Sequence, residues 1–293
     1  MTSARELVDR TVEDFLMTGQ RELRAKLGAD LTASQTNVTL SSVQGSVASG
    51  SLLQAGFELM PVWSLSSSGS IAEVERGDYG SAAVVHTAGE VVEIDPIFTR
   101  MRVLRALQSS VNSLSDEPGI WKPATVTFTP TSSQEVYDLG TVEVRRIVRV
   151  SQLVEGDWIP IDHSWELVHG LTGQTDITGD SGIRLNYYDS NKPVRVVIET
   201  PLGSILDSTP DLEETTGLAN VSILAVGAAL ELNAGRAIKR SFIEGQGDSR
   251  RANEVAPFQT ESSGRELKAL YKRLKGEAVS RLTQLYPYRR KRR

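Results

Sequence analysis

Residues 74–107, VERGDYGSAAVVHTAGEVVEIDPIFTRMRVLRAL, restrict the possible folds more than any other stretch of the chain. A glycine-punctuated β segment runs straight into Asp95-Pro96, and a helical pattern follows at once. The aspartate suits a cap on the first amides, and proline suits the opening helical position because its missing N–H had no partner there. Leu104, Leu107, Val111 and Leu114 then recur on one helix face. The stretch reads as a rigid joint between a small β module and a helix over 96–115, and not as a reaction centre.

With 293 residues the chain is long enough for two packed units. It has no cysteine, which excludes disulfides, thiolate metal sites and a thiol nucleophile. The first residues form an amphipathic helix carrying Arg5, Glu6, Asp9 and Arg10, unlike a basic-then-apolar signal sequence. No run approaches the length of apolar sequence that spans a bilayer, so no membrane segment is expected. The net charge of −5 hides an asymmetry: Arg265–Arg293 holds eleven basic and two acidic residues, and the remainder is net −14. An acidic body with a basic end suits an acidic partner.

Ser3 and Glu6 fit a capping box opening a helix from Ala4 to about Thr18, with a further helical turn before Gly28. Composition then shifts to Thr, Ser, Gly and Val. Short strands are expected at 37–40, 52–53, 57–60, 71–74 and 91–94. After the break at Asp116-Glu117-Pro118-Gly119, alternating segments recur to about Leu206 without intervening helices, as in an antiparallel sandwich or barrel. Trp121, Trp158 and Trp165 are its large core or rim residues. A slim helix over 219–239 with Ala219, Gly227, Ala229 and Ala234 admits close neighbours, in its own subunit or another. A polar linker over 244–264 leads to a last helix, capped by Ser263 and Glu266, with Leu267, Leu270, Leu274 and Leu285 on its buried side.

The expected fold class is therefore α+β. A helical core (1–118) carries an inserted small β module (about 30–95), an antiparallel β-sandwich or barrel follows (119–210), and C-terminal helices bear a basic tail (211–293).

No phosphate-binding glycine loop is present. His163 and His169 flank Trp165, with Asp162 and Glu166 beside them, but no third ligand or nucleophile elbow completes a metal or acid–base site. Residues 175–182, TDITGDSG, place acidic residues four apart, yet the terminal glutamate and flanking helices of a calcium loop are missing. An Asx-type turn is the better assignment. No catalytic residue, cofactor or metal is therefore assigned. The basic end, Arg289, Arg290, Lys291, Arg292 and Arg293, admits three uses: a solvated tail, nucleic-acid backbone contact, or docking into an acidic groove of a protein.

The residues Arg76-Gly77, Tyr79-Gly80-Ser81, Ala82-Ala83, His86, Gly89, Pro96-Ile97-Phe98, Arg100 and Leu104 follow a pattern. In it a β insertion ends in an Arg-Gly-Tyr-x-Gly-Thr-like turn, then a His, a Gly and Pro-x-Phe-x-Arg before an amphipathic helix. In this the chain resembles head-to-tail adaptor (neck or connector) proteins of long-tailed bacteriophages, especially those of actinobacteria. Asp78 splits the turn motif and Ser81 stands in place of threonine. The specific likeness covers about a third of the chain, and Gly50 and Glu58-Leu59 match more loosely.

The resemblance implies a non-enzymatic virion protein, assembled in the host cytoplasm. It would form a homo-oligomeric ring, a dodecamer, between the portal protein and the next neck or tail-terminator ring. Genomic DNA would pass through its channel without sequence recognition. Arg76, Gly77, Gly80, His86, Gly89, Pro96 and Arg100 are the structural motif, and Lys268, Lys272, Lys275 and Arg289–Arg293 are the expected portal contacts. The alternatives are a baseplate, tail-tip or capsid-decorating protein, and a glycan-binding or hydrolytic module using Trp158, Trp165, Tyr187 and Tyr188.

Overall fold

The computed structural model describes residues 2–16, 23–67, 69–131, 134–140, 143–161, 165–171, 178–186, 188–245 and 259–287. Strict alternation along β2 (Asn37–Ser41) buries Val38 and Leu40 and exposes the residues between them, the signature of a strand with one wet face. The same alternation holds in β1 (Leu23–Leu27) and β5 (Ile71–Val74), whereas β3 (Leu52–Ala55), β4 (Glu58–Leu65) and β6 (Val91–Ile94) bury consecutive residues on both faces. These strands close into an antiparallel barrel in the order β1-β2-β5-β4-β3-β6. Leu27, Val38, Leu53, Met60, Val74 and Ile94 are among the side chains filling its interior.

The second β region forms two sheets: β10 (Asp157–Pro160), β9 (Arg146–Val154), β13 (Val194–Thr200) and β7 (Lys122–Phe128) in one, and β11 (Trp165–His169), β12 (Ser181–Leu185) and β8 (Val136–Asp138) in the other. Tyr137, Ile147, Val150, Ile183, Val196 and Ile198 join them in one apolar cluster.

The helices α1 (Ala4–Thr11, continued by a π turn over Val12–Leu16), α2 (Arg100–Ser115), α3 (Leu212–Thr216), α4 (Ser222–Gly245) and α5 (Gln259–Leu285) carry the third cluster. Helix α4 packs against α1, α2 and α5. Its Gly227 permits the crossing, since a Cβ there would lie 2.2 Å from Ser110 Oγ of α2 and 3.2 Å from Tyr271 Cε2 of α5. The small residues therefore serve packing within the subunit.

These findings correct the expected fold class. The chain is mostly β, with 29% helix, and is built on a closed six-stranded barrel and two further sheets, not on a helical bundle with a small β insertion and a β-sandwich. The decisive difference is β1. Leu23-Arg24-Ala25-Lys26-Leu27 reads as a helical turn from its residue types, but it pairs with β2 on one side and β6 on the other and so removes both free edges.

The joint is also corrected. Asp95 adopts φ 48° and turns back to the barrel, where its carboxylate accepts from Leu52 N–H at 2.7 Å and Ser51 Oγ at 3.0 Å. Pro96 consequently lies in the connecting loop, and α2 starts at Arg100 under a Thr99 cap whose side chain accepts from Arg102 N–H at 3.2 Å. Among the described residues, no helix is long and apolar enough to cross a membrane.

Candidate functional site

Three of the residues singled out in the 74–107 joint, Arg76, Gly77 and His86, converge on one buried carboxylate, Glu58, whose side chain is fully inaccessible at the end of the barrel. On β4 it faces inward beside Ala55 of the paired strand. Its Oε1 accepts from Arg76 Nε at 2.5 Å and Gly77 N–H at 3.1 Å. Its Oε2 accepts from Arg76 Nη2 at 2.9 Å and Val84 N–H at 3.0 Å, and meets His86 Nε2 at 2.9 Å. Burial on its own would raise the Glu58 pKa. The bonds from Arg76, Val84 and His86, with the guanidinium charge, outweigh it and hold the carboxyl below its usual range.

Arg76 uses all five of its N–H donors. Besides the two bonds to Glu58, Nη1 donates to Thr32 O at 2.5 Å and Gln35 O at 2.8 Å, and Nη2 to Val84 O at 2.7 Å. His86, only 4% exposed, has Glu58 on one ring nitrogen and Glu90 on the other, at 3.1 Å. Carboxylate oxygens only accept, so the doubly protonated ring donates on both sides and a neutral ring on one.

Two glycines make this geometry accessible. Gly77 (φ 66°) lets the chain fold so close that a Cβ would sit 2.8 Å from Ala83 N. Gly80 (φ 77°) follows Tyr79 (φ 53°) in a turn closed by Ser81 N–H donating to Asp78 O at 3.0 Å. Both central residues are left-handed, as a type I′ turn requires. Asp78, which interrupts the sequence pattern, is the first residue of that turn. Gly89 (φ 86°) donates from its N–H to Leu27 O at 2.7 Å, tying the segment back to β1.

Arg100 forms a second node. Its Nε donates to Asp9 of α1 at 2.8 Å and its Nη1 to Glu93 of β6 at 2.8 Å. Gln54 of β3 bridges the pair, donating to Glu93 at 2.7 Å and accepting from Arg100 N–H at 2.9 Å. Burial would lower the Arg100 pKa, yet the two carboxylates raise it, so the cation is firmly held. Barrel, α1 and α2 are thus bound at one side chain. Of these network members, Glu58 was only loosely matched by sequence, and Gln54 and Glu93 carried no signal at all, because their partners are remote in the chain.

The expected portal contacts divide. Lys268 and Lys272 are exposed on α5, while the opposite face (Leu267, Leu270, Tyr271, Leu274, Val279) packs on the helical core. Lys275 instead pairs with Glu117 of the same chain at 2.6 Å. Leu285, expected on the buried side, is 60% exposed. Tyr286 anchors the helix end in its place, its ring 5.1 Å from that of Trp121. Arg289, Arg290, Lys291, Arg292 and Arg293 lie outside the described residues, as do Asp162, His163 and Tyr187.

The remaining candidates are tied down internally. His169 Nδ1 contacts Ser181 Oγ at 2.9 Å. Trp158 lies under Arg195, 4.3 Å from the ring centre, and Tyr188 donates to Thr131 O at 3.1 Å. Asp138 accepts from Gly140 and Thr178 N–H at 2.9 and 3.0 Å, so a β8 carboxylate organises the turn that follows residue 177. Among the described residues no group of three His, Asp or Glu side chains is placed to hold a metal. Neither a protein-family model nor a curated protein matches the chain.

Proposed function

We propose that the chain is a non-enzymatic structural protein of a phage virion, a head-to-tail adaptor that forms a ring between the portal protein and the next neck or tail-terminator ring. The carrying observation is the split character of α5. One face is sealed on the core, and the other presents Lys268 and Lys272 on the way to the five basic residues at the chain's end. A cationic helix held rigidly at one side suits docking on carboxylates of a neighbouring protein, where charge speeds encounter and fixes orientation. The Arg100 node supports the same reading, because it ties the barrel (Gln54, Glu93) to α1 (Asp9) and α2 at one side chain, as a component that transmits load between neighbours needs.

In this reading the ring is a dodecamer, the net-acidic body lines a channel along which DNA slides, and virion assembly takes place in the host cytoplasm. The test is to mix the purified chain with its portal and determine the mass and stoichiometry of the product. Binding is expected for the intact chain and lost in K268E/K272E and on deletion of 288–293, with the urea midpoint unchanged. A portal that ignores the intact chain overturns the reading.

A further inference from the structure

We propose that the cleft between the barrel and α2 is the socket of a self-association interface, and that its occupant is the Leu206–Asp207 turn of a second copy of this chain. The proposal deepens the ring reading, and rests on it for choosing a copy of this chain over a foreign acidic segment. The cleft has a volume of about 230 Å³ and is bordered by Leu52, Leu59, Tyr79, Met101, Arg102 and Arg105. That exceeds the roughly 150 Å³ apolar cavity that accommodates a benzene ring, so an aliphatic side chain and part of its turn fit. Barrel and α2 supply apolar side chains, and the exposed Arg102 and Arg105 make the mouth cationic. Arg105 Nη2 donates to Tyr79 O at 3.0 Å and fixes one wall.

The complementary surface lies on the same molecule. Leu206 is 63% exposed, a large apolar side chain projecting into solvent from a turn that is already ordered. Leu206 N–H donates to Thr209 Oγ1 at 2.9 Å, and Thr209 N–H returns a bond to Leu206 O at 3.1 Å. The preceding Ile205 is buried and donates to Gln108 of α2 at 2.5 Å. Little ordering remains to be done on docking, which lowers the entropy cost of association. Asp207 is exposed beside Leu206, and Asp211 and Glu214 follow. An aliphatic tip flanked by carboxylates therefore matches an apolar cleft flanked by guanidiniums.

Gln108 stands one helical turn beyond Arg105, so tip and socket lie along one edge of α2, and a chain's own tip projects into solvent instead of filling its socket. Each copy thus offers one tip and accepts one, which closes as a two-fold pair or as a ring.

The experiment measures particle mass of the purified full chain, without portal, across concentration. The intact chain is expected to associate, and L206D, R102E and R105E each to weaken the dissociation constant at least tenfold while leaving the urea midpoint unchanged. D207R placed on R105E restores association by exchanging the charges. The proposal is overturned if the intact chain stays monomeric throughout, or if L206D associates as the intact chain does, which would assign the cleft to a foreign segment. A chain that self-associates but ignores portal refutes the adaptor reading alone; one that binds portal as a monomer refutes this interface alone.

Discussion

Replacing Glu58 by glutamine keeps the shape of the side chain and removes its charge. A glutamine amide has one accepting oxygen and one donating nitrogen. Placed at the Oε1 position, the nitrogen faces Arg76 Nε and Gly77 N–H; at the Oε2 position it faces Arg76 Nη2, Val84 N–H and His86. The milder choice still forfeits two bonds and leaves a guanidinium, 6% exposed, without its counter-charge. Removing one partner of a buried pair costs about 3–5 kcal/mol, so E58Q should lose about 4 kcal/mol, read from urea midpoints multiplied by the denaturant slope.

Hydrogen exchange at Val84, whose amide points at the carboxylate, should accelerate about a thousandfold, since each 1.4 kcal/mol is about a factor of ten. The pH dependence follows in sign. The folded pKa is depressed below the ordinary 4.5, so Glu58 contributes its full stability above that value and loses it as pH falls through the folded pKa. E58Q should abolish that portion of the acid slope. A loss below about 1 kcal/mol, with Val84 protection unchanged, would show that the carboxylate does not lock the joint.

Gly227→Ala should destabilise by about 1–3 kcal/mol through overpacking, despite the better helix propensity of alanine. Ser110→Ala removes both the obstructing oxygen, 2.2 Å from the added carbon, and a buried hydroxyl with no hydrogen-bond partner among the described residues, so S110A/G227A should recover most of the loss in thermal unfolding. Arg100→Met should cost about 3 kcal/mol by stranding Glu93, and hydrogen exchange should show α1 loosening before the barrel interior. Tyr137, raised to about 12 by burial and by its neighbour Tyr188, should give a phenolate absorbance step well above that of ordinary tyrosines. Tyr188→Phe should bring that step down.

The legible parts of the fold were those whose signal is local. Val38 and Leu40, or Ala72 and Val74, alternate within one strand, and the pattern is readable because their burial has period two. The slim face of α4 was readable too, though not whether its neighbour belonged to the same chain. Strand β1 was not, because Leu, Arg, Ala and Lys favour helix and only the edges of β2 and β6 impose the extended form. Asp95 carried a real capping signal, but Ser51 and Leu52, over forty residues away, claim its carboxylate first.

At the candidate site Arg76, Gly77, His86 and Arg100 stood out through the resemblance to the adaptor pattern. The acceptors that give them purpose, Glu58, Glu93 and Asp9, are ordinary acidic residues, and the burial of the first two and the pairing of all three are tertiary facts. Lys275 has an internal partner that the pattern did not show, Glu117 across a helix end.

The sealing of β1 against β6 bears on how the module comes into being. A ribosome delivers Leu23–Leu27 first, while the partner Val91–Ile94 emerges only after the other four strands have been made. Closing that span costs about 4 kcal/mol in chain entropy beyond a constant, recovered only when the last seam zips. The barrel is therefore not a cassette to be excised at residue 30. A fragment beginning there should expose two raw edges and aggregate, whereas a circular permutant that places 23–27 directly after 94 should fold faster than the native order.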